Sequence, residues 1–172
     1  MKSTGITRRI DDLGRIVIPK EIRKNLKIKE NEILEVFVEN ENIILKKFSS
    51  FDDMDKTFTR FIEVLENITF NSVLITNRDK ILNTSINKKY DYLNKEIGRD
   101  IINCISNKED LLNKGLVELI VNKQIDTNCY IKPIINNGDT LGSIVIFGNK
   151  NIEEKDILAV EIISKLIINY ID

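Results

Sequence analysis

Nine basic side chains fall within the first 29 residues: Lys2, Arg8, Arg9, Arg15, Lys20, Arg23, Lys24, Lys27 and Lys29. Only three acids, Asp11, Asp12 and Glu21, stand among them. The resulting local charge of +6 is hidden in a chain whose formal total is −1, so the remaining residues carry −7. Guanidinium and ammonium groups at this density hold phosphate or carboxylate oxygens by charge-assisted hydrogen bonds. A basic end on an acidic body implies a polyanionic partner for that end alone.

Other chemistries are poorly provided for. The chain has no histidine, which removes Ser-His-Asp and Cys-His catalysis and argues against a zinc site. Cys104 and Cys129 are too far apart in sequence for a metal knuckle or a redox pair and read as small buried hydrophobes in a reducing compartment. No apolar run is long enough for a membrane span, and Met1–Gly5 lacks the hydrophobic region of a secretory signal. The expectation is a non-enzyme with no metal and no cofactor.

The basic residues need elements to place them. Ile6, Arg8 and Ile10 alternate with Thr7 and Arg9, the period of a strand. Asp11-Asp12-Leu13-Gly14 supplies turn chemistry, Arg15–Ile18 resumes a β-branched strand, and Pro19 suits the first position of a short helix to Leu26. Ile33–Val38 and Ile43–Lys47 predict a second hairpin around Glu39–Asn42. Four short strands and one helical turn in about fifty residues make too thin a core to stand alone. With no disulfide or metal to help, association of two copies is the remaining source of stability.

The run Gly14-Arg15-Ile16-Val17-Ile18-Pro19-Lys20-Glu21-Ile22-Arg23 resembles the AbrB-type swapped-hairpin DNA-binding family. Lys88–Lys95 and Pro133–Phe147 extend the likeness to the stage V sporulation protein T family, which joins such a head to a GAF-like body. The resemblance implies DNA contacts on the first strand, the turn and the short helix. Matched residue by residue, these fall on Arg8, Arg15, Arg23 and Lys24, with Arg9 and Lys2 as secondary candidates. Strict alternation places Arg8 on the face of Ile6 and Ile10, so Arg9 is the rival that the pattern favours. Lys24 offers a point charge where relatives often carry the arginine fork.

Beyond Ser50 the pattern changes. Phe51, Met54, Phe58, Phe61, Leu65 and Ile68 are spaced 3-4-3-4-3, as in a coiled-coil seam. A helix lying on its own domain needs the same spacing. Its position between two domains favours the coiled coil. The body reads as strands at 72–76 and 81–85, a helical region over 87–114, strands at 116–121, 130–135 and 141–147, and a closing helix from Glu153. The apolar surface of that helix is wide enough for its own sheet and a partner helix.

The expected fold class is α+β: an AbrB-like swapped-hairpin β-barrel formed by a dimer (1–50), a coiled-coil linker helix (51–70), and a GAF-like domain (71–172). The resemblance implies an antiparallel sheet with helices on one side and a looped pocket on the other. Thr76, Asn77, Cys104 and Tyr130 are possible pocket residues, while the ligand is unknown. By resemblance the chain is a cytoplasmic, nucleoid-associated transcription regulator of the forespore, activating and repressing sporulation genes. Its expected partners are double-stranded DNA, read largely through shape, and itself, as a dimer or tetramer. A small molecule at the body is a further possible partner, and no membrane is involved. The alternative is an antitoxin that binds a toxin and its own promoter.

Overall fold

Local turn chemistry sets the path of the first residues. The computed structural model describes residues 5–26, 28, 30, 34–47, 51 and 54–171, and the chain divides into two units, 1–49 and 50–172. In the first, the Asp11 N–H donates to the Arg15 carbonyl and the Gly14 N–H to that of Asp11. Gly14 sits at φ +75°, a left-handed conformation that glycine takes without a Cβ penalty. Helix α1 spans Lys20–Asn25 and Pro19 is its N-cap. The proline therefore precedes the helix instead of opening it. Strands β1 (Leu34–Glu39) and β2 (Asn42–Lys47) pair antiparallel, with Phe37 opposite Ile44. Their turn is tighter than expected, just Asn40-Glu41, and Asn40 takes φ 54°.

The strands expected at 6–10 and 15–18 are absent from the single chain, in which β1 and β2 form a sheet of two. A ladder needs a neighbour, and these two strands already pair with each other. The consequence is an unfinished core. Pro19 is the one buried residue among those described in this unit, while Ile10, Leu13, Val17, Val38 and Ile43 are 65–76% exposed.

The second unit has a different character. Helix α2 (Asp55–Thr69) leads into β3 (Ser72–Thr76) and β4 (Ile81–Thr84). A 3₁₀ turn at Ile86–Lys88, α3 (Lys89–Tyr92) and α4 (Arg99–Asn107) follow. The chain ends with β5 (Leu111–Ile120), β6 (Lys123–Asn136), β7 (Asp139–Gly148) and α5 (Glu154–Ile171). The five strands form an antiparallel sheet ordered β4-β3-β7-β6-β5. Asn137 and Gly138 both take positive φ between β6 and β7, the Asn-Gly signature of a two-residue hairpin.

Alternation sends side chains to two cores. Val73, Ile75, Ile144 and Ile146 meet Phe58, Ile62 and Leu65 of α2 and Val160, Ile163 and Ile167 of α5. On the opposite face Leu74, Ile131, Val145 and Phe147 meet Tyr92, Ile101 and Cys104. Each fully buried side chain of this size contributes about 1.5–3 kcal/mol.

Two expectations are corrected here. The 3-4 seam of α2 is not a coiled coil, because Phe51, Phe58 and Leu65 lie in the core of their own unit and the helix belongs with the body. The sheet is covered on both faces, by α2 and α5 on one and by α3 and α4 on the other, not by helices on one side alone. Asn83, itself buried, fixes the start of α2. Its amide donates to the Asp55 carboxylate at 2.6 Å and to the Thr59 hydroxyl at 3.1 Å.

Candidate nucleic-acid interface

Among the described cations of the head, Arg15 is held by its own turn. The Asp11 carboxylate accepts from the Leu13 N–H at 3.1 Å and the Arg15 N–H at 2.8 Å, closing the turn. Its second oxygen accepts from Arg15 Nε, also at 2.8 Å. The Arg15 backbone N–H, with that residue's guanidinium and the Leu13 N–H, holds the Asp11 carboxyl below its ordinary range. The turn thus restrains one edge of the guanidinium, while the side chain stays 71% exposed. A planar fork held this way is preorganised for a phosphate oxygen.

The other cations come from neighbouring elements. Arg9 is exposed on the segment before the turn. Arg8 borders an open apolar groove with Ile6, Val17, Ile22, Ile43 and Leu45, on the side where alternation puts it, and its guanidinium donates to the Thr7 carbonyl at 2.8 Å. Arg23 and Lys24 are exposed in the last turn of α1, while Ile22 between Glu21 and Arg23 is half-buried toward the groove. Lys2 lies outside the described residues. Asp11, read from the sequence only as a turn residue, also holds the Arg15 guanidinium. Its signal was an aspartate four residues before an arginine across a glycine turn.

In the body the four pocket candidates do not converge. The Thr76 hydroxyl is buried against Ser143 Oγ at 2.8 Å, and Asn77 Oδ1 accepts the Asp79 and Lys80 N–H groups of its turn. The Tyr130 hydroxyl donates to Asp110 at 2.7 Å, a carboxylate that also takes Lys132. Burial, then that carboxylate, pushes the Tyr130 phenol far up. Cys104 packs in the second core. Burial raises the Cys104 thiol to about 11 and the Cys129 thiol to about 12. Both are neutral at pH 8, where a thiolate would be required for attack. We expect neither to react with Ellman's reagent at pH 8 until denaturant is added, and rapid labelling of the native protein would contradict this placement.

Among the described residues no helix is long and apolar enough to cross a membrane, and no group of three acidic or cysteine side chains could hold a metal ion.

Comparison with known proteins adds identity to this geometry. Residues 53–167 match the family described as "Stage V sporulation protein T C-terminal, transcription factor". Residues 7–51 match "Antidote-toxin recognition MazE, bacterial antitoxin". The chain is 41% identical over 151 residues to stage V sporulation protein T of Bacillus subtilis (strain 168), covering 86% of this chain and 85% of that one. The head alone is 58% identical over 48 residues to the transition state regulatory protein AbrB of the same organism, 28% of this chain and half of AbrB. The body shares its fold with a GAF domain/HD domain protein from Geobacter sulfurreducens, at a TM-score of 0.55 and 11% identity, covering 73% of this chain and 98% of that one. Taken with the AbrB-like basic head and the two-faced GAF sheet, these matches show that the chain belongs to the stage V sporulation protein T family of DNA-binding transcription factors that regulate sporulation.

Proposed function

We propose that two heads interlock, each filling the other's groove, and that the paired surface presents Arg8, Arg15, Arg23 and Lys24 of both copies to one duplex. The observation that carries this reading is the unfinished core: exposed Ile, Leu and Val side chains beside an apolar groove. Arg9 and Lys2 are secondary contacts to the same duplex. With α1 only six residues long, no extended recognition helix enters the major groove. Affinity then comes largely from phosphate contacts, and preference from how easily a sequence deforms. The protein acts on the nucleoid in the cytoplasm of the forespore, activating some sporulation genes and repressing others.

The body supplies a second association surface. Leu158, Ile162 and Leu166 form an exposed i, i+4, i+8 row on α5, and Val64 and Ile68 are exposed on α2. Packing two such rows together joins two head pairs into a tetramer and raises the effective concentration of the second pair at DNA. A small ligand of the GAF-like body biases that arrangement.

Two substitutions test the assembly. Ile43→Lys keeps the head cationic but puts a charge where a partner must pack. The expected result is loss of head pairing by cross-linking and DNA affinity reduced about 100-fold or more, because half the phosphate contacts go. An unchanged affinity with a monomeric head would defeat the proposal. Ile162→Lys should halve the mass seen by light scattering and leave head pairing intact.

The antitoxin reading draws on the match of residues 7–51. Toxin-binding tails fold on their targets, whereas residues 54–171 here carry a five-stranded sheet with a core on each face. That contrast favours the regulator.

A further inference from the structure

Among the body's cavities, one polar cleft of 460 Å³ lies where the α2–β3 loop, the 86–92 segment, β6 and the exit from β7 come together. Its walls carry both signs of charge: Lys88 and Lys150 as cations, Asp126 as the anion. Tyr92 and Phe147 give it an apolar side, their rings 5.2 Å apart.

The walls are held in place. Asn128 donates to the carbonyls of Asn149 and Lys150 at 3.3 and 3.2 Å, fixing the loop that bears Lys150, and Thr127 Oγ1 donates to the Gly148 carbonyl. Lys88 closes a 3₁₀ turn through its N–H to the Ser85 carbonyl, and Ser85 is itself bonded to Val73 of the sheet. Phe70 takes the left-handed φ of 54° as the C-cap of α2, its N–H donating to the Glu66 carbonyl at 2.8 Å, which ends the helix at the mouth of the cleft. Its exposed ring lies 4.2 Å below the Lys150 ammonium. Asn71, 4% exposed, lines the cleft with its amide donating to the Thr69 carbonyl at 3.2 Å, while its Oδ1 is closed to solvent against Gly148.

The geometry points to a binding site for a small zwitterion, a free α-amino acid with a large apolar side chain or a short peptide of such residues. Lys88 and Lys150 take the carboxylate, Asp126 takes the ammonium, and the edges of Tyr92 and Phe147 meet the side chain. An anion alone leaves Asp126 without a counter-charge, and a cation alone is repelled by two lysines. This inference rests on the ligand-sensing reading of the body and gives that reading a chemistry.

The test is thermal unfolding and calorimetry of the full-length protein with L-leucine, L-phenylalanine and the dipeptide Leu-Leu. Expected is a midpoint rise of several degrees with at least one of them at millimolar concentration, the amino-acid and dipeptide arms naming the source. N-acetyl-leucine, lacking the ammonium, and leucine amide, lacking the carboxylate, should both fail. The rise should disappear in Lys88→Gln and Lys150→Gln and persist in Lys114→Gln, an exposed lysine on β5. No rise with any probe, or a rise that survives both cleft variants, overturns the site. DNA binding measured on the same samples separates the two ideas. A zwitterion that binds without altering DNA affinity sinks ligand control and leaves the site standing.

Discussion

Between about 50 and 200 mM salt, binding of the intact protein to a duplex fragment should weaken by about four orders of magnitude, as eight phosphate contacts per dimer require. Four cations from each of two heads set that count, giving a log–log slope of about −7. Alanine at Arg8, Arg15, Arg23 or Lys24 removes two contacts per dimer, so each variant should flatten the slope by about 2. The loss should be nearly the same on different DNA sequences, because phosphate contacts position the protein without reading bases. Arg15→Ala should be the most damaging of the four, since its guanidinium is already held by Asp11 and gives up little freedom on binding. The quadruple variant should bind no better than the acidic body allows. A slope near zero for the wild type, or strong binding by the quadruple variant, would remove DNA contact from these residues.

Gly142→Ala should strongly destabilise the body. A Cβ at that position would lie 1.8 Å from the Thr76 carbonyl oxygen and 2.9 Å from Asn77 Cα. Neither neighbour can yield as a flexible side chain would. Thr76 is hydrogen-bonded and fully buried, and β7 is gripped on its other side by β6, with a register shift just beyond the Ile134–Gly142 pair. Overpacking against backbone costs about 3 kcal/mol or more, which for a unit of this size lowers the melting midpoint by about 10 °C. Gly138→Ala is the control. It meets nothing within 4 Å, and its φ of +83° adds only a left-handed strain of about 1–2 kcal/mol. Equal melting temperatures for the two variants would contradict the close approach of β7 to β3.

How far the sequence could be read depended on how local each signal was. Asp11–Gly14 and Asn137-Gly138 announce their turns because the conformation lives in the residues themselves. The strands expected at 6–10 and 15–18 join no sheet among the described residues, because a ladder depends on a second strand and not on the residues alone. In the body β5 and β6 begin at Leu111 and Lys123, earlier than their apolar runs suggest. Asn113, Lys114, Asp126 and Thr127 occupy the solvent-facing stretch of that hairpin, where polar residues are tolerated and propensity says little. The α2 spacing could not separate a two-helix seam from a helix on its own sheet, and tertiary packing decided it. At the candidate interface the cations were visible as charge. The Asp11 clamp on Arg15 and the groove beside Arg8 were not, because each depends on residues meeting in space.

The unfinished core of the head has a consequence for timing. Ribosomes release this segment one chain at a time, with Val17, Val38 and Ile43 facing water, so if heads pair as proposed, competence for DNA becomes a second-order quantity. At low abundance the concentration of pairs would then climb as the square of the chain concentration, and mass action would tie its persistence to abundance. Lone chains, with those side chains in water, would then be cleaved faster than paired ones. A modest burst of expression is thereby turned into a sharp onset, and a modest decline into a prompt shutdown.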